Sequence, residues 1–155
     1  MTDEEGRFRA AVKASMVAVR AFARHLQLRG MSVIVYEVRI RPHRDQREGY
    51  GDTEDLTACW EDGPWRRFEI KWRTYSWTCC DDFPFPNGMI VDRLKDTPLA
   101  DWYVGISRDL NYAAIVDGKT SDQWSIKNIY DKTKGYGGPV RYCTLDLVQF
   151  VRLLK

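Results

Sequence analysis

An α+β fold is predicted for this chain: a long N-terminal helix packed on a mixed, mostly antiparallel sheet, with an extra hairpin and helix towards the C-terminus. Three observations carry the prediction. Apolar residues recur at three- and four-residue steps over residues 4–28, the period of one helix face. Residues 32–41, 55–60 and 65–73 instead read as strands, with apolar and polar positions alternating in the longer runs. Asp-Gly, Asn-Gly and Pro-containing turns separate the remaining short apolar runs. At 155 residues the chain fits one domain, 1–155, large enough to build a core without disulfides.

Each element has its own signal. In the helix, Phe8, Val12, Met16, Val19, Phe22 and Leu26 form the apolar stripe, and Gly30 supplies the stop. His25, near the helix end, is read as a partner for the C-terminal dipole. In SVIVYEVRIR, Ile34, Tyr36, Val38 and Ile40 share one face and Val33, Val35, Glu37 and Arg39 the other, until Pro42 ends the strand. Residues 42–51 are a polar loop. DLTACW at 55–60 and WRRFEIKWR at 65–73 form a hairpin across Glu61-Asp62-Gly63-Pro64. Phe68, Ile70 and Trp72 take one face of its second strand and Arg67, Glu69, Lys71 and Arg73 the other. Pro84 and Pro86 keep residues 74–88 from forming a helix. MIVDRLK at 89–95 reads as a strand, and 102–106 with 111–116 as a hairpin across Ser107 to Leu110. Asp117-Gly118 is a turn, and a short helix is expected around Trp124 and Ile126. Residues 134–139 read as a flexible loop and Val140 to Cys143 as a short strand. A final helix, capped by Thr144, would present Leu147, Phe150, Val151 and Leu154.

Composition removes several function classes. Hydrophobic content of 44% argues against disorder. No run of 18 apolar residues exists, so no spanning helix and no membrane partner is expected. Asp3, Glu4 and Glu5 make an acidic start, unlike a signal peptide, and a cytoplasmic location is expected. Cys59, Cys79, Cys80 and Cys143 form no CxxC pair, which suits free thiols rather than a zinc site. His25 and His43 are too few for a His-rich centre, and no Gly-x-Ser-x-Gly occurs. The net charge of +2 hides a pattern: residues 51–100 carry ten acids against six bases, between two basic flanks.

That acidic third holds the constellation that points to chemistry. Asp55 opens a strand, and Glu69-Ile70-Lys71 puts an acid and a lysine on one face of the next. Pairing of these strands would bring two carboxylates together, a donor set for a hard cation such as Mg²⁺, with Mn²⁺ as substitute. The Ile70 backbone carbonyl is a further oxygen, and Lys71 would sit beside a metal-activated water attacking a phosphodiester. A second acid-x-Lys triplet, Asp117-Gly118-Lys119, falls in a turn and lacks strand alternation. The competing reading of Glu69 and Lys71 is a solvated strand face with cross-strand charge pairs.

GDTEDL at 51–56 and FEIKWR at 68–73 resemble the PD-(D/E)xK nuclease superfamily, whose restriction-endonuclease-like core is a helix followed by three antiparallel strands. The resemblance covers roughly residues 4–75. It implies Asp55 and Glu69 as Mg²⁺ ligands and Lys71 as the residue assisting water. Beyond it, DDFPFP and the hairpin near 102–116 look similar to small phage-type proteins of this class, implying phage or mobile-element DNA processing in a host cytoplasm. The chain departs from the family in having Glu54 before Asp55 and prolines where a helix usually follows Glu-x-Lys. Glu37, Asp52 and Glu5 (or its neighbour Glu4) are the further acids that would complete the metal site.

Arg39, Arg41, Arg44 and Arg47 before Asp55, with Arg67 and Arg73 beside the Glu-x-Lys strand, are the candidate DNA contacts. Trp65, Trp72, Tyr75 and Trp77 are either stacking surface for unpaired bases or hairpin packing. The expected function is a Mg²⁺-dependent deoxyribonuclease, acting as a monomer or a homodimer. The alternatives are a nuclease-like domain that binds nucleic acid or a host protein without cutting, and a structural interaction module.

Overall fold

The structure, a computed structural model, describes residues 3–36, 55–95, 98–131 and 136–155, and of residues 3–5, 7–9, 11–12, 131 and 136 the backbone alone. Helix α1 spans Asp3–Leu28. Met16, Val19, Phe22, Ala23 and Leu26 are its buried stripe, and Gly30 at φ +96° turns the chain out of it. That φ is strained for any residue with a Cβ, which explains a glycine there.

Three strands follow: β1 (Met31–Val35), β2 (Leu56–Trp60) and β3 (Arg66–Trp72). They pair antiparallel in chain order, with Met31 opposite Trp60 and Leu56 opposite Phe68. In β1 the Val33 and Val35 face packs towards the helix, and Ile34 and Tyr36 are exposed. The rest of that predicted strand, and the loop to residue 54, lie outside the described residues. The β2–β3 hairpin holds, with Trp65 joining its loop and Glu61 taking positive φ.

β3 also pairs with β5 (Trp102–Ile106), and this contact is parallel, with Glu69 beside Tyr103. A parallel pair needs a crossover rather than a tight turn, and the segment between β3 and β5 supplies it. It carries a 3₁₀ turn at Cys80–Asp82 and β4 (Met89–Arg93). β6 (Tyr112–Asp117) and β9 (Val148–Arg152) extend the sheet antiparallel, in the order β1-β2-β3-β5-β6-β9. A second sheet, β4-β8-β7, uses β7 (Ser125–Asp131) and β8 (Tyr136–Cys143).

The larger sheet therefore lies between two cores. On one face α1 covers Leu56, Ala58, Phe68 and Ile70, with Phe22 and Phe68 ring centroids 5.7 Å apart. On the other, Tyr103, Ala114 and Val116 meet Trp77, Phe83, Met89 and Val91 from the crossover. Trp77 and Phe83 pack edge to face at 5.3 Å, and Phe83 meets Phe150 at 5.4 Å. The α+β class, the main helix and the mostly antiparallel sheet are as expected. No helix among the described residues is long and apolar enough to cross a membrane.

Three expectations are corrected. The helix after Thr144 is a 3₁₀ turn, Leu145–Leu147, followed by strand β9. Val148 and Phe150 reach one core while Val151 and Leu153 reach the other, so the governing period is two. The short helix at 121–130 is a 3₁₀ turn, Gly118–Gln123, and then β7, because pairing with β8 satisfies more backbone than one isolated turn. The loop at 134–139 is, from Tyr136 on, part of β8. Gly137 is there for closeness: a Cβ on it would lie 2.0 Å from the Ile129 carbonyl oxygen.

Candidate functional site

Asp55 is fixed by backbone on both sides. Its N–H donates to the Phe68 carbonyl at 3.3 Å and its carbonyl accepts from Tyr36 N–H at 3.1 Å. Its buried carboxylate turns onto β3, where Oδ2 accepts the Ile70 N–H at 2.6 Å. Ile70, expected to lend its carbonyl to a metal, has its amide held by Asp55 and is paired with Val104 across the β3–β5 ladder.

Glu69 and Lys71 leave β3 on the face turned away from α1, because Phe68 and Ile70 take the helix side. There they meet two residues that no spacing in the sequence predicts, Asp92 on β4 and Lys95 just beyond it. Lys71 Nζ lies 2.8 Å from Asp92 Oδ1. Lys95 Nζ lies 2.5 Å from Glu69 Oε1 and 3.2 Å from Asp92 Oδ2. The four charges alternate in sign, with the Lys95 ammonium shared by both carboxylates. Lys71 is the most accessible of them, with 34% of its side chain exposed against 4% for Asp92.

The electrostatics are uneven. Burial lifts Glu69 above its ordinary carboxylate value, and the bond from Lys95 only partly counters it while Asp92 adds to the lift. Burial acts on Asp92 in the same sense, but the summed pull of Lys71 and Lys95 overcomes it and holds Asp92 below the usual value. Burial also opposes the charge on Lys95, and the two carboxylates reverse this and raise it. One carboxyl is thus disposed to take a proton and its neighbour to stay ionised, within reach of one ammonium.

The remaining predicted residues scatter. Glu37, Asp52, Arg39, Arg41, Arg44 and Arg47 lie outside the described residues, as does the side chain of Glu5. Arg73 is turned inward: Nη2 donates to the Ile90 carbonyl at 2.6 Å, and burial lowers its pKa. Its guanidinium lies against Gly105, where a Cβ would stand 3.3 Å from Nε. Arg73 is thereby corrected from a DNA contact to a brace between β3 and β4. Arg67 is half-buried, and its backbone N–H donates to Asp101 Oδ2 at 2.7 Å. Trp77 and Tyr75 belong to the aromatic core, while Trp65 and Trp72 stay exposed. Asp117 caps the turn at Gly118 by accepting from Lys119 N–H, which accounts for the second acid-x-Lys triplet.

His25 is also corrected. It is buried, and Nδ1 accepts the Leu154 N–H at 2.9 Å, which only an unprotonated nitrogen can do. Burial, then the nearby Arg29 charge, lowers its pKa, so it sits neutral rather than as a cation on the helix dipole.

With this geometry in hand the chain was compared with known proteins. No protein-family model, curated protein or solved structure matched. The residues themselves therefore carry the functional argument.

Proposed function

We propose that the chain is a nuclease hydrolysing phosphodiester bonds in DNA with a divalent cation, Mg²⁺ or in its place Mn²⁺. The supporting observation is that Glu69 and Lys71 are drawn into a sheltered cluster with Asp92 and Lys95 instead of standing as solvated strand charges. Burying four charges is a poor route to stability, and perturbed titration in a shared cluster is typical of chemical sites. The helix and three antiparallel strands that precede it agree with the resemblance, as does Asp55 at the opening of β2.

Asp55, Glu69 and Asp92 offer oxygen donors of the kind a hard cation takes, although among the described residues no group of three acids, cysteines or histidines converges. Bound there, the ion would polarise the phosphate and acidify a water. Asp92 holds Lys71 by its ion pair and so aims the half-buried ammonium, which would donate to the water or to a phosphate oxygen.

Millimolar Mg²⁺ or Mn²⁺ should raise the melting temperature, and Asp55→Ala or Glu69→Ala should abolish the rise. On a panel of duplex, single-stranded and branched DNA with an RNA control, the wild type should cut at least one substrate and Lys71→Ala none. An unchanged melting temperature counts against the ion. A second reading, binding without cutting, is favoured by one observation: Lys95 already places a cation between Glu69 and Asp92. It predicts retention of DNA with no cleavage, indifferent to metal.

A further inference from the structure

Helix α1 rests on β1, β2 and β3 and leaves part of the larger sheet open. Where its last turn ends, a half-open cavity of about 440 Å³ lies between the helix, the β2–β3 hairpin and the helix-side face of β5, β6 and β9. That volume is in the range of small-molecule sites. Its inner wall is apolar, built from Phe22, Leu26, Ala58 and Phe68. Trp60 stands at its border with 51% of its surface exposed.

The charged groups of the lining all have one sign. Arg29 and Arg66 contribute guanidinium groups, and no Asp or Glu lines the cavity. Arg29 is exposed, and Arg66 is only loosely engaged, 3.9 Å from Asp101. His25, 3% exposed, supplies a third donor. Because Nδ1 accepts from Leu154, the ring proton resides on Nε2, and no acceptor among the described residues takes it. Nε2 is thus a free donor at the edge of a half-open cavity, where an anion could accept from it.

We propose that this cavity is a binding site for a small aromatic anion, a flat ring bearing a carboxylate or a phosphate. The ring would lie on the apolar wall and against Trp60, and the anionic group would meet Arg29, Arg66 and the His25 Nε2–H. Guanidinium groups suit the flat or tetrahedral oxygens of such an anion. The site is separated from the Glu69–Lys95 cluster by the sheet itself and does not rest on the nuclease reading.

Titration calorimetry with 2-naphthoate, 2-naphthyl phosphate and the uncharged 2-naphthylmethanol tests it. At least one anion should bind, and the alcohol should bind about tenfold or more weaker, the worth of a charge-assisted hydrogen bond. Comparison of the two anions assigns the headgroup. Arg29→Ala, an exposed change, should weaken the anion and leave the alcohol unaltered. Ala58→Leu should weaken every probe by filling the wall, and Trp60→Ala gives the same test at the exposed border if that variant does not fold. The His25 Nε2 resonance should shift when the anion binds. No binding by any probe, equal affinity for the alcohol, or anion binding that survives both Arg29→Ala and Trp60→Ala would overturn the proposal.

Discussion

At the scale of single residues, Asp92 and His25 show how burial redirects a side chain. Asp92 joins Lys71 to Lys95 from a strand in another sheet, so no local spacing announces it. Asp55, Glu69 and Lys71 were legible because strand alternation and a hairpin relate them locally. Asp92 and Lys95 were not, because the crossover decides what faces β3. His25 gives a sharp test. Its native pKa is lowered, so as pH falls through about 6.5 the unfolded chain takes up the proton first. The His25 contribution to stability is therefore complete above that pH and declines below it. Asp92, held below 3.8, loses its own contribution only in stronger acid. Urea unfolding of the wild type between neutral and mildly acidic pH should show a decline that His25→Gln flattens. Equal slopes in both proteins would show that His25 does not titrate as described.

At the scale of elements, what could be read depended on whether one period alone fitted the residues. α1, β2, β3, β5 and β6 each satisfy a single pattern and were legible in the sequence. Leu147, Phe150, Val151 and Leu154 fit one helix face, yet alternate residues of the same run fit a strand between two cores. The choice belongs to β6, whose free edge β9 completes, and an edge strand's need for a partner is not written locally. Gly137 misled in the opposite direction, since glycine marks loops and close strand contacts alike. Gly137→Ala should push β8 off β7 and cost about 1–3 kcal/mol, the usual range for overpacking. Hydrogen exchange should then rise in β7 and β8 and stay unchanged in β1, β2 and β3. Uniform loss of protection would mean that the small sheet does not yield on its own.

At the scale of the whole molecule, the larger sheet ties the two cores together, since β3, β5 and β6 contribute to both faces. Unfolding should therefore be one transition. Far-UV ellipticity, reporting on α1, and near-UV ellipticity, reporting on the Trp77 and Phe83 core, should coincide in urea. Separate midpoints would make the second layer an independent unit. The parallel contact between β3 and β5 has a consequence for the order of manufacture. During synthesis Glu69 and Lys71 emerge well before the strand that stabilises their partners, because β4 pairs with β8 far downstream. A ribosome must synthesise β8 before the strand that carries Asp92 is held in its sheet and the alternating charges can close. The cluster of Glu69, Lys71, Asp92 and Lys95 is thus the last contact of β3 to be completed, waiting on a strand more than sixty residues later.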